Sequence, residues 1–111
     1  MKALALVSDL IFSSRITAEA KAAGAQVQIL RKPEQLDQAE GDLLLVDLNL
    51  SGATIAAATW QQKTGRRTVG FVSHIDSATI ASAREAGFEE IMPRSRFIQV
   101  LPQLLRAGSS I

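Results

Sequence analysis

The chain has 111 residues, twelve basic and eleven acidic side chains, and a net charge of +1, so one domain over residues 1–111 is expected. The absence of Cys excludes disulfides, thiolate metal sites and Cys nucleophiles, and it fits the reducing cytoplasm. A single His, His74, excludes multi-His metal centres, and 5% aromatic residues without Tyr argue against a stacking platform for single-stranded nucleic acid. The balance is uneven: residues 1–55 carry −2 and residues 56–111 carry +3. From Ile91 onward the charged side chains are Arg94, Arg96 and Arg106, a mild basic end that does not by itself predict a nucleic-acid partner. No stretch approaches the roughly 20 apolar residues needed to span a bilayer, and the run Ala3 to Val7 is short for a targeting segment.

Short apolar runs alternate with segments of helical period. Ala3 to Val7 is the first run, and Phe12 to Ala23 follows with Phe12, Ile16, Ala20 and Ala23 on one face. Val27 to Leu30 is the second run, after which Pro33 to Glu40 leaves room for only a short helix. Leu43 to Val46 is the third, followed by the Ala-rich segment Ser51 to Lys63. Val69 to Val72 is the fourth, followed by Asp76 to Ala86, with Asp76 or Ser77 as its N-cap. Glu90 to Met92 is a weak fifth run. The last helical stretch carries Phe97, Leu101, Leu104 and Leu105, with Ser95 as the expected N-cap and Pro102 expected to kink or divide it. Gly24, Gly65 and Gly87 each follow a helical stretch, where a left-handed residue ends a helix.

Continuous apolar runs of four or five residues suit strands buried on both faces. The alternation therefore predicts an α/β fold. It is a doubly wound, (βα)5, five-stranded parallel sheet; the order 2-1-3-4-5 of a flavodoxin-like three-layer sandwich is one order such alternation permits, and it is the one expected here.

In such sheets ligands bind beyond the carboxyl ends of the strands. Ser8 and Asp9 leave the first strand, Asp47 the third, Ser73 and His74 the fourth, and Met92 and Pro93 the fifth. Two carboxylates on neighbouring strands could bind a hard divalent cation, or one could act as a nucleophile beside it. The plainer alternative is that Asp9 and Asp47 cap the following helices. By the same plain readings His74 is a loop residue, Trp60 packs at a helix edge, and Arg66 and Arg67 are solvated in a turn.

These residues resemble the response-regulator receiver (CheY-like) family of two-component signalling, over Lys2 to about Leu105. The segments that carry the resemblance are LALVSD, DLLLVDLNLSG, VGFVSH and AREAGFEEIMPRSRF. The resemblance implies that Asp47 is the phosphoacceptor and that Ser73 is the switch residue. It implies that Asp9, Asp47 and the backbone carbonyl of Asn49 hold Mg2+, and that Pro93 follows a cis peptide bond. It implies a protein partner, a histidine kinase or an output protein, with no nucleic acid and no membrane. A homodimer through the last two helices is compatible with it.

The sequence also departs from the family pattern. Ser8 stands at the first acidic position, and Met92 stands where the family has a Lys that neutralises the phosphate. Arg94, two residues on, is a candidate substitute cation of different shape. The loop after Asp47 is shorter and lacks the usual Pro. The resemblance thus leaves two readings: a receiver phosphorylated on Asp47, or a degenerate receiver that binds a protein without phosphorylation. A small phosphatase or flavin protein fits less well. Asp47-Leu48-Asn49 lacks a second Asp as general acid, and the turn after the first strand lacks Gly. No enzymatic activity is expected.

Overall fold

The computed structural model describes residues 1–73 and 76–107; His74 lies outside the described residues. Five strands form one parallel sheet: β1 (Lys2–Leu6), β2 (Gln26–Leu30), β3 (Leu43–Asp47), β4 (Arg67–Val72) and β5 (Glu90–Pro93), in the order β2-β1-β3-β4-β5. The helices are α1 (Leu10–Ala22), α2 (Ala53–Thr64), α3 (Ser77–Glu85) and α4 (Arg94–Ala107). A 3-10 helix, Pro33–Gln38, makes the short second connection. The parallel sheet follows the alternating pattern, and the order 2-1-3-4-5 is the expected one.

Side chains alternate across the sheet, so each apolar run divides between two cores. Ala3, Ala5, Val7, Leu43, Leu45, Val69 and Phe71 face α1 and α4, where they meet Phe12, Ile16, Phe97, Leu101 and Leu105. Leu4, Leu6, Leu44 and Val46 face the other way, toward Leu36, Ala57, Trp60, Ala83 and Phe88. Two-sided burial is why these strands show no polar alternation. Trp60 is 4% exposed, and its indole N–H donates to the Ala39 carbonyl at 3.2 Å, which ties α2 to the 3-10 segment. It is a packing residue, as the plain reading has it.

The termini follow the sequence signals with three corrections. Asp76 caps α3 by accepting from the Ala78 and Thr79 backbone N–H groups, and Gly24, Gly65 and Gly87 have φ of 72°, 68° and 104°. However, α4 begins at Arg94, so Ser95 lies inside its first turn rather than at the cap. The helix also runs undivided through Pro102. Pro removes one backbone donor, yet Leu101, Leu104 and Leu105 are anchored in the core on either side of it. The described peptide bonds include no cis bond, so the expected cis bond before Pro93 is not present. β5 extends through Pro93, which pairs with Val72, and α4 starts at the next residue. That continuation suits the extended backbone favoured before Pro.

Arg66 and Arg67 are also paired rather than simply solvated. Arg67 opens β4 and donates to both carboxylate oxygens of Glu90 on β5, at 2.7 and 2.6 Å. The hydrogen bond from Arg67 holds the Glu90 carboxyl below its ordinary range. Arg66 lies 3.7 Å from Asp42.

Gly70, central in β4, marks a close approach. A Cβ there would sit 2.7 Å from Leu48 Cδ1 and 3.0 Å from Leu48 Cγ. Gly70→Ala should therefore lower stability by about 1–3 kcal/mol through overpacking. In a Leu48→Ala background the added methyl has room, so denaturant unfolding should show the two costs failing to add.

Candidate functional site

The site lies at the carboxyl edge of the sheet, where β1, β3 and β4 run out beside α1 and α4. Asp9 follows β1 and caps α1. Its Oδ1 accepts from the Ile11 and Phe12 backbone N–H groups at 2.9 and 3.1 Å. The capping expectation therefore holds for Asp9. Asp47 is the last residue of β3, and Oδ1 accepts from the Asn49 N–H at 2.9 Å. It does not cap α2, whose N-cap is Gly52. Only 7% of Asp47 is exposed, so its charge sits where desolvation matters.

Arg94 brings these two carboxylates together. It is the first residue of α4, and its side chain reaches back over the edge of the sheet. Nη1 lies 3.3 Å from Asp9 Oδ2, and Nη2 lies 3.9 Å from Asp47 Oδ2. The guanidinium carbon lies 4.0 Å from the centroid of the Phe12 ring, a cation–π contact. Phe12 in turn packs against Phe71 at 5.0 Å and Phe97 at 5.9 Å, and Phe71 stacks on Phe97 at 4.4 Å. The cation thus rests on a rigid aromatic floor formed by three of the four Phe residues. Its Nε is buried without a hydrogen-bond partner. Arg94 thus places its charge beside both carboxylates from the start of a helix rather than from the end of a strand.

Asn49 has a role that the sequence reading missed. Its side-chain Oδ1 accepts from both the backbone N–H and the hydroxyl of Ser73, at 2.7 and 2.9 Å. This latch joins the loop after β3 to the end of β4. The available signal was an Asn two residues beyond a strand end, a place where Asx side chains commonly bond to nearby backbone. The partner across the sheet was not legible from spacing. Met92 is half-buried and packs on the core shared with Phe71 and Phe97. Ser8 is exposed, and its carbonyl accepts a 3.4 Å contact from Arg31.

The donor set bears on the metal expected from the resemblance. Mg2+ wants six oxygens in near-octahedral array, with carboxylates among them. Here one oxygen of each carboxylate is engaged by backbone N–H groups, and the other faces a guanidinium. Among the described residues no three His, Cys, Asp or Glu side chains are grouped to hold a metal. In this arrangement the residues present do not fit the ion, because Arg94 supplies the positive charge from the same side.

The chain has the fold of response-regulator receiver domains in solved structures. A two-component response regulator from Clostridium difficile superposes with a TM-score of 0.81 at 14% identity, covering 98% of this chain and 95% of that one. A CheY-like receiver domain protein from Methanospirillum hungatei gives 0.78 at 12% identity, covering 97% and 95%. The Mn2+-bound form of the response regulator Rcp1 gives 0.71 at 16% identity, covering 99% and 92%. No protein-family model and no curated protein matches the sequence.

The electrostatics of the site give a pH signature. The Phe12 backbone N–H above all holds the Asp9 carboxyl below its ordinary value; desolvation opposes it, and Arg94 and the Ile11 N–H add smaller lowering effects. A carboxyl lowered in the folded state adds stability that is complete above its unfolded pKa, about 4, and is lost as pH falls through the folded value. Unfolding curves between neutral and strongly acid pH should therefore be shallower for Asp9→Asn than for the parent protein. Carboxylate NMR of Arg94→Gln should show Asp9 titrating at higher pH. With these observations the fold is assigned as that of a CheY-like receiver domain.

Proposed function

We propose that this protein is a receiver-fold signalling module of the cytoplasm that acts by binding a protein partner, without phosphorylation and without catalysing a reaction. The observation that carries this reading is the Arg94 guanidinium set against both Asp9 and Asp47. A phosphoacceptor carboxylate must approach phosphorus while a metal ion and a cation neutralise the transferred oxygens. In this site the metal position loses a carboxylate at Ser8, and Met92 cannot pair with a phosphate. Arg94 also competes with a metal ion for the same carboxylate oxygens. The Ser73 hydroxyl is held by Asn49, which stabilises one orientation of the switch position.

A second reading has support from the same residue. Nη2 of Arg94 is 3.9 Å from Asp47 Oδ2, close enough for Arg94 to neutralise a phosphoryl group formed there. Asp47 would then attack phosphorus in a phosphohistidine or acetyl phosphate. The new P–O bond would form as the bond to the leaving nitrogen or oxygen breaks.

Acetyl phosphate with Mg2+ separates the two readings by intact mass, with Asp47→Ala as control. The expected outcome is no Asp47-dependent phosphoryl adduct, together with full cellular function in Asp47→Asn. An adduct that forms rapidly and disappears in Asp47→Ala would overturn the interaction-module reading. Mg2+ titration should leave the Asp9 and Asp47 signals unmoved in the parent protein, whereas Arg94→Ala should make them metal-responsive.

A further inference from the structure

We propose that Asn49 is a positioning residue that couples the Asp47 carboxylate to the end of β4 through Ser73. This coupling uses the resting carboxylate and asks for no phosphoryl group or partner, so it holds under either reading of Asp47. Asn49 is bonded at both ends. Its backbone N–H donates to Asp47 Oδ1 at 2.9 Å, and its side-chain Oδ1 accepts from the Ser73 N–H at 2.7 Å and from the Ser73 hydroxyl at 2.9 Å.

The strand pairing explains why a side chain is needed here. Asp47 is the last residue of β3 and pairs with Phe71, and the Leu48 N–H still donates to the Phe71 carbonyl at 2.9 Å. In a parallel ladder continued by one residue, the Ser73 N–H would find the Leu48 carbonyl. The chain instead leaves the sheet toward α2, and Asn49 Oδ1 takes the place of that strand carbonyl. A backbone N–H can only donate, so the carboxamide oxygen must face Ser73, and the orientation of the side chain is thereby fixed. Leu48 is 4% exposed and sits against Gly70, which anchors the start of the turn.

The other half of the coupling is at Asp47. Its Oδ1 holds the Asn49 N–H and its backbone carbonyl holds the Leu50 N–H at 3.1 Å, so one residue organises the turn that carries the Asn49 side chain. Asp47 is 7% exposed, and a hydrogen bond to an ionised acceptor away from water is stronger than a neutral one. Loss of that acceptor frees the Asn49 backbone, shifts its carboxamide and loosens Ser73. A change at the carboxylate thus reaches the end of β4 without requiring a bond between Ser73 and Asp47. The hydroxyls of Ser13, Thr17, Thr59 and Thr64 donate to carbonyls of their own helices. That of Ser73 reaches a residue 24 positions away, so it joins two loops rather than finishing a local turn.

The test uses the full chain without Mg2+ or phosphodonor and follows backbone amide exchange by NMR, with the β1 and β2 amides as the internal measure of global unfolding. Asn49→Leu removes the acceptor and should speed Ser73 amide exchange by about fivefold or more relative to those strands. Asn49→Asp keeps an oxygen at the same reach and should restore slow exchange, which a purely steric role for the side chain does not require. Asp47→Ala should also speed exchange at Ser73, and should add nothing further in the Asn49→Leu background. The proposal is overturned if Asn49→Leu leaves Ser73 exchange unchanged, or if Asn49→Asp exchanges as fast as Asn49→Leu. It is also overturned if Asp47→Ala has no effect on Ser73, or acts equally with and without Asn49, because the coupling then runs by another route.

Discussion

The Arg94 guanidinium is the contact on which the rest of the site depends. It is a cation on the first residue of α4, placed between a capping carboxylate on α1 and a buried carboxylate on β3. Three elements distant in sequence therefore meet through one side chain. The Phe12 ring beneath it provides a cation–π face, and the Phe71–Phe97 stack holds that ring in place. An arginine suits this position better than a lysine. Its flat, delocalised head can lie on an aromatic face and still present nitrogens toward two carboxylates.

This arrangement gives the departures from the receiver pattern a common physical sense. A pocket with one acidic residue fewer at Ser8 attracts a divalent ion less strongly. Met92, at the end of β5, carries no charge, and its side chain packs on the apolar core. Arg94 restores positive charge from two residues further on, where the backbone has already turned into a helix. Transfer chemistry depends on positioning as well as on charge.

The scaffold that sets this geometry is a sheet buried on both faces. Successive residues of β1, β3 and β4 feed opposite cores, which fixes the register of each strand. Asp47 ends β3 opposite Phe71 of β4, so the carboxylate and the aromatic floor are set by one strand pairing. Asn49 and Ser73 extend that coupling into the loops above. The first turn of α1 belongs to the same unit, because Asp9 both caps the helix and faces Arg94.

The sequence by itself determined the alternation of strands and helices, the parallel sheet and most helix ends. These follow from local patterns: apolar runs, Ala-rich segments, glycines past helix ends and an Asp before a helix. It also placed Asp9, Asp47 and Ser73 at strand ends, since the carboxyl edge of a parallel sheet follows from topology. Only the tertiary structure decided what those residues touch. The Asn49–Ser73 latch, the Arg67–Glu90 pair and the Arg94 bridge join residues 24, 23 and up to 85 positions apart. No local periodicity encodes such distances. Strand register and the direction of long side chains set them, and these exist only once the sheet is packed. α4 runs undivided through Pro102 for a related reason. Core leucines on both sides hold Pro102 within one helix, so packing outweighs a local breaker signal.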